Sequence, residues 1–202
     1  MAFIGQGLNM DLTIITLIIS SVGVFATFVN ICVTYYWNKR KLKADLVSQS
    51  RIKWLDRVKG YVSTLITNVT LYRSYVGYIK IINKEQSDGI AHNYICGENR
   101  LDAKEALDYY VSQLNIILGK IDVSIESIML DLSKNEGNKA FREAVTSLGV
   151  QIQDIDALIS HEDLQQKLEK INLTIIKTTN DRLRNIATNY FKNEWEKAKK
   201  GE

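Results

Sequence analysis

The chain has no proline in 202 residues. Proline breaks helix interiors because it lacks an N–H and clashes with the preceding turn, so its absence favours long helices over a strand-and-turn architecture. Cysteine is nearly absent as well. Cys32 lies in an apolar run and Cys96 in a polar stretch, which argues against a disulfide framework and reads as two reduced thiols. The two histidines, His92 and His161, are equally sparse. His92 with Cys96 and Glu98 falls short of the ligand number and spacing of a zinc site, and His161 reads as a solvated residue in the first turn of a helix. A glycine-rich phosphate loop and a Gly-x-Ser-x-Gly elbow are both missing. Tyr72, Tyr75, Tyr78, Tyr109 and Tyr110 read as core and rim aromatics rather than reactive groups. With no catalytic constellation, the expectation is a non-enzyme that needs no metal and no cofactor.

Charge is missing from one region in particular. Residues 1–38 carry only Asp11, and Leu12 to Trp37 carry none. A helix needs roughly 20 such residues to cross a hydrocarbon core of ~30 Å. Tyr35, Tyr36 and Trp37 close the run, where interfacial aromatics belong, and basic residues follow at once. Lys39, Arg40, Lys41, Lys43, Arg51, Lys53, Arg57 and Lys59 stand against Asp45 and Asp56, a local net of +6 in a chain whose total is +3. The positive-inside rule then puts the N-terminus outside and the rest in the cytoplasm, at a bacterial inner membrane. The N-terminus lacks the basic start and short apolar stretch of a cleavable signal peptide, so an uncleaved anchor is expected.

The apolar run has a polar seam. Thr13, Thr16, Ser20, Gly23, Thr27, Asn30 and Thr34 recur every three or four residues, with Ile, Leu, Val and Phe elsewhere. Small and hydroxylated residues let membrane helices approach closely and bond across the contact, and an amide such as Asn30 is costly in lipid without a partner. The seam therefore reads as the packing face of a parallel homo-oligomer, or as the wall of a narrow polar pore if four or more copies assemble. The basic segment reads as a topology signal in contact with anionic headgroups, worth about 1 kcal/mol per residue. Alternatively it forms a vestibule at a pore mouth, or a ring binding phosphates of a nucleotide or nucleic acid.

Beyond the basic segment the periodicity is helical. Leu55, Val58, Val62, Leu65, Val69, Tyr72, Val76 and Ile79 make an apolar seam, with the helix expected to end near Asn83 and any break from the membrane helix at Ser48-Gln49-Ser50. Residues 84–100 have no period and read as a connecting loop. A second helix is expected over 102–134 through Leu107, Tyr110, Leu114, Ile117, Ile121, Ile125, Ile128 and Leu132. A third spans 138–159 through Phe141, Val145, Leu148, Ile152, Ile155 and Ile159. Ser160 and Asp163 suggest a capped helix start, with the last helix running to about Lys199 through Leu164, Leu168, Ile171, Ile175, Leu183, Ile186, Tyr190 and Trp195. The fold class expected is all-α: a transmembrane helix followed by an antiparallel bundle of long helices. The domains follow as 1–11 extracytoplasmic, 12–37 transmembrane, 38–59 basic juxtamembrane and 60–202 cytosolic bundle.

Ser50, Arg51, Ile52, Trp54, Leu55, Val58 and Lys59 form a Ser-Arg-Ile-x-Trp-Leu-x-x-Val-Lys stretch. In this the chain resembles a group of short single-span bacterial and prophage membrane proteins of unknown function, over about 50 residues including the span. The resemblance implies a helix with Trp54 and Leu55 facing a neighbour and Arg51 near headgroups. In architecture the chain is also similar to membrane effectors of anti-phage defence, in which a cytosolic helical domain senses a signal and an oligomeric membrane part depolarises the cell. The expectation is a gated pore or membrane-disrupting effector, with a non-conducting scaffold that recruits a protein as the alternative. The partners implied are the lipid bilayer, further copies of the chain (a tetramer or larger for a pore), and a regulatory protein, nucleotide or nucleic acid.

Overall fold

The computed structural model describes residues 4–90, 93–134, 136–159 and 171–200, with side chains from Ile14 onward. Four α-helices account for nearly all of it: α1 (Ile4–Ser87), α2 (Ala103–Asp131), α3 (Lys139–Ile159) and α4 (Leu173–Lys200). A short hairpin, β1 (Tyr94–Cys96) and β2 (Asn99–Leu101), joins α1 to α2, and a 3₁₀ turn at Glu136–Asn138 leads into α3. The cap suggested by Ser160 and Asp163, with Leu164 and Leu168, lies outside the described residues.

The chain divides into two compact units, Met1–Ser50 with Ala198–Glu202, and Arg51–Lys197. In the first, residues 14–47 of α1 are exposed all round, and the Ser48 hydroxyl donates to the Ala198 carbonyl at 2.8 Å. No break occurs at Ser48-Gln49-Ser50, which is helical. Neither proline nor a glycine stands there to interrupt the backbone ladder.

The second unit is a helical bundle. All eight apolar seam residues of α1 from Leu55 to Ile79 are buried, and so are all six expected on α3. On α2 six of the eight are buried, Leu107 and Ile125 packing at the edge. Each fully buried Leu, Ile, Val or Phe contributes about 1.5–3 kcal/mol relative to exposure, which holds these faces together. Gly149 marks a close α2–α3 approach, since a Cβ there would lie 3.1 Å from Ile125 Cδ1.

The helix ends are set by local chemistry. Gly89, at φ +72°, terminates α1: its N–H reaches the Gln86 carbonyl and the Ile90 N–H reaches the Glu85 carbonyl. This is a Schellman motif with glycine in the left-handed position. The region expected as an irregular loop contains the hairpin instead. Cys96 pairs with Asn99 across a two-residue turn in which Gly97, at φ +65°, supplies the positive φ of a II′-type turn. Asp102 caps α2 in a capping box with Glu105.

On α4 the buried face differs from the apolar stripe. Ile171 and Leu183 are buried as expected, whereas Ile175 and Trp195 are exposed and Ile186 and Tyr190 only half-buried. The face runs instead through Ile176, Asn180, Leu183, Ala187 and Glu194. Two of these are polar, and hydrophobic periodicity cannot register a buried face that includes an amide and a carboxylate.

Candidate membrane-spanning helix and basic segment

Among the described residues one helix is long and apolar enough to cross a membrane, with an 18-residue window of mean hydropathy 2.2 and none of that window buried. Ile14, Ile15, Leu17, Ile18, Ile19, Val22, Phe25 and Phe28 are all more than half exposed. Soluble monomers rarely leave so large a contiguous apolar surface uncovered.

Thr16, Ser20, Gly23, Thr27, Asn30 and Thr34 are all exposed along this helix. At 100° per residue they fall within an arc of about 80°, so the seam is one narrow strip. Cys32 lies about 160° from Thr16 around the axis, on the far side of it. The hydroxyls are internally satisfied: Ser20 donates to the Thr16 carbonyl and Thr27 to the Gly23 carbonyl at 2.8 Å. Thr34 donates to Asn30 Oδ1 at 3.5 Å. Back-bonded hydroxyls lower the cost of placing Ser and Thr in lipid, and Gly23 has nothing within 4 Å of its Cβ position.

The basic residues separate into two groups. Lys39, Arg40, Lys41, Lys43, Lys53 and Lys59 project from α1 and are exposed. Arg51 and Arg57 are tied instead to other helices of the bundle unit, Arg51 half-buried and Arg57 at its surface. Arg51 Nη2 lies 2.6 Å from Glu194 Oε2 on α4, and Lys197 Nζ lies 2.6 Å from Glu194 Oε1. Arg57 makes a two-pronged pair with Asp131 at the end of α2, at 2.7 and 3.1 Å. Its guanidinium pKa is raised, chiefly by the hydrogen bond to Asp131 and then by its charge. Burial pushes the Glu194 carboxyl up, but the hydrogen bonds from Lys197 and Arg51 outweigh it and leave the carboxyl below its ordinary range.

Trp54 and Leu55 of the Ser-Arg-Ile-x-Trp-Leu stretch also turn to the bundle. Leu55 is buried in the bundle, and Trp54 Nε1 donates to the Asp131 carbonyl at 3.0 Å while its ring meets Tyr190 edge-on. Arg142 donates to the Met129 and Leu132 carbonyls at 3.0 and 2.6 Å. Trp54 and Arg142 thus satisfy carbonyls that the end of α2 leaves without helical partners. The Tyr190 hydroxyl closes the knot by donating to Asn138 Oδ1 at 2.8 Å. Periodicity missed this knot because its anchors, Asp131, Asn138 and Glu194, are polar. The only signal was a cluster of Arg and Trp residues at the start of an apolar seam.

Elsewhere, Tyr75, Tyr78, Tyr109 and Tyr110 form a ring cluster beside the buried Cys96. Burial, and then the hydrogen bond with Cys96, pushes the Tyr110 hydroxyl up to about 12. Tyr94 likewise rises to about 12, from desolvation and its 2.6 Å hydrogen bond to Glu85. Such hydroxyls stay protonated at neutral pH and act as packing and hydrogen-bonding groups. Cys32 and Cys96 are both free thiols, the first exposed and the second buried. No group of three or more potential metal ligands occurs among the described residues, and His92 and His161 lie outside them. No protein-family model, curated protein or solved structure matches the chain.

Proposed function

We propose that the protein is an oligomeric membrane effector, a gated pore or membrane-disrupting protein of the anti-phage defence type, and not an enzyme. The observation that carries this reading is the narrow polar strip from Thr16 to Thr34 on a fully exposed apolar helix. A strip about 80° wide can be shared by several parallel helices around one axis, whereas a single tether has no use for it. In this reading the helix crosses the bacterial inner membrane with its N-terminus outside. Lys39, Arg40, Lys41 and Lys43 form the cytosolic mouth, and the bundle controls the packing of the strip. The bundle is read as antiparallel. This is supported by the order of its contacts, with Arg51 against Glu194, Thr70 against Asn180, and Lys80 against the Ile171 carbonyl.

The test is membrane potential in cells induced to express the wild type, Asn30→Leu or Thr27→Leu. Depolarisation by the wild type and its loss in either variant is the expected result. If neither expression nor the substitutions change potential or growth, the pore reading fails and a non-conducting scaffold takes its place. That second reading is favoured by Ile116, Val123 and Leu130 on α2. They are spaced by seven and exposed, Leu130 at 87%, an apolar row suited to a partner helix.

A further inference from the structure

Between Lys59 and Lys84, every exposed residue of α1 is uncharged. The two cations of that stretch, Arg73 and Lys80, are half-buried and turn toward the last helix. Arg73 lines a crevice with Lys177 and Asp181 of α4, and Lys80 donates to the Ile171 carbonyl at 3.0 Å. A helix on the surface of a bundle ordinarily carries charge on its outer face. The other helices do so, with Asp108, Asp122 and Glu126 exposed on α2, Glu143 and Asp154 on α3, and Asp181 and Glu196 on α4.

The uncharged face is patterned. Gly60, Thr67, Ser74 and Ile81 recur every seven residues, and Thr64, Leu71 and Tyr78 stand between them in alternating steps of four and three. At 100° per residue all of these fall within an arc of about 100°, over ~32 Å of helix. Leu71, Tyr78 and Ile81 are 41%, 48% and 53% exposed. The hydroxyls among them are spent locally: Thr64 donates to the Gly60 carbonyl at 3.0 Å, Thr67 to that of Ser63 at 2.9 Å, and Ser74 to that of Thr70 at 3.1 Å. Covering the face therefore strands none of these donors. Gly60, with nothing within 4 Å of its Cβ position, admits a close neighbour.

A seam of this spacing is what two parallel helices present to each other. An occupant with charges on its contacting side would leave them desolvated and unpaired, so the matching surface is uncharged over the same length. Among the described helices only α1 has such a face, and a second copy of the chain supplies it. We propose that this face of α1 is a contact between two copies of the chain, parallel and in register. Thr67 and Ser74 lie at its centre, and Leu71, Tyr78 and Ile81 pack across it. The parallel orientation rests on the reading of α1 as membrane-spanning, while the contact itself uses no residue of the polar strip. A footprint of ~32 Å by ~10 Å is well below the ~800 Å² a side of a stable interface in water. The contact therefore forms between copies that a bilayer already confines, where effective concentration is high.

Disulfide crosslinking of the full chain in membranes tests it, in a Cys32→Ser background. Under mild oxidation Thr67→Cys and Ser74→Cys should each give covalent dimers, about tenfold or more above Val123→Cys on the outer side of α2, since the bond needs Cα atoms within about 7 Å. Adding Ser74→Glu to Thr67→Cys sets like charges against each other and should cut that dimer about tenfold. Both positions are exposed, so neither change disturbs the bundle core. No dimer at 67 and 74 overturns the proposal, and so does a dimer undiminished by Ser74→Glu. Crosslinking of Ser74→Cys to Val123→Cys in co-expressed chains, as strong as to itself, overturns it too. Thr27→Cys is scored beside them. A crosslink at 27 with none at 67 or 74 overturns this contact and leaves the membrane strip standing, whereas dimers at 67 and 74 with none at 27 support the contact without the strip.

Discussion

Glu194 occupies a buried position on α4 and remains charged because Arg51 and Lys197 both reach it at 2.6 Å. Its folded pKa is depressed below the ordinary value of 4.5, so its contribution to stability is present above pH ~4.5 and is lost as pH falls through the lower folded value. Glu194→Gln strands two cations and is expected to cost about 2 kcal/mol at pH 7, less than a fully buried pair because Arg51 is partly exposed. Unfolding in detergent should show this deficit at pH 7 and a much smaller one near pH 3; a deficit unchanged with pH removes the charge from the explanation. The cysteines give a second check at this scale. A membrane-permeant maleimide should label Cys32 alone in the folded protein and both thiols after denaturation, since Cys96 is only 2% exposed. Rapid native labelling of two thiols contradicts the packing around Tyr110.

Among the elements, α1 and α3 were legible in the sequence because apolar residues keep the helical period of their buried faces from Val58 to Ile79, where the buried Asn68 is the polar exception, and from Phe141 to Ile159. Helix α4 was legible as a helix but not in phase, because Asn180 and Glu194 take buried positions that a hydrophobic stripe assigns to solvent. The hairpin was missed because three-residue strands are too short to show a period, although the Gly97 turn between Tyr-Ile-Cys and Asn-Arg-Leu was there to be read. The placing of Thr16 to Thr34 on one strip of the helix follows from their spacing alone, whereas the ties of Arg51 and Arg57 were not legible, since partners on α4 and α2 leave no mark on local sequence. Element packing is tested at Gly149. Leucine there collides with Ile125, whose Cδ1 would be 3.1 Å from the new Cβ, and should destabilise the bundle by about 1–3 kcal/mol. Alanine should be near neutral, because its better helix propensity, about 1 kcal/mol, offsets a contact that the end of a flexible side chain can relieve. Thermal unfolding of both variants decides it, and a stable leucine variant rules out the close α2–α3 approach.

For the whole molecule the proposed function turns on whether copies of the chain share the strip, and on how many. Parallel helices meeting along Thr16, Ser20, Gly23, Thr27, Asn30 and Thr34 bring equivalent positions close to the common axis, while Cys32, about 160° away, faces outward. Cysteine placed by Thr27→Cys in a Cys32→Ser background should therefore crosslink efficiently between subunits under mild oxidation, and native Cys32 poorly. Disulfide formation needs Cα atoms within about 7 Å, so the contrast reports rotation of the helix as well as association. Stoichiometry in detergent, measured by light scattering, then separates the two functional readings. Two helices pack into one contact with no space between them, whereas four or more can enclose a lumen lined by hydroxyls and the Asn30 amide. A tetramer or larger with crosslinking at position 27 is the outcome expected of a pore. A dimer with the same crosslink keeps the seam as an assembly surface and leaves the scaffold as its function. A monomer that crosslinks at neither position removes both.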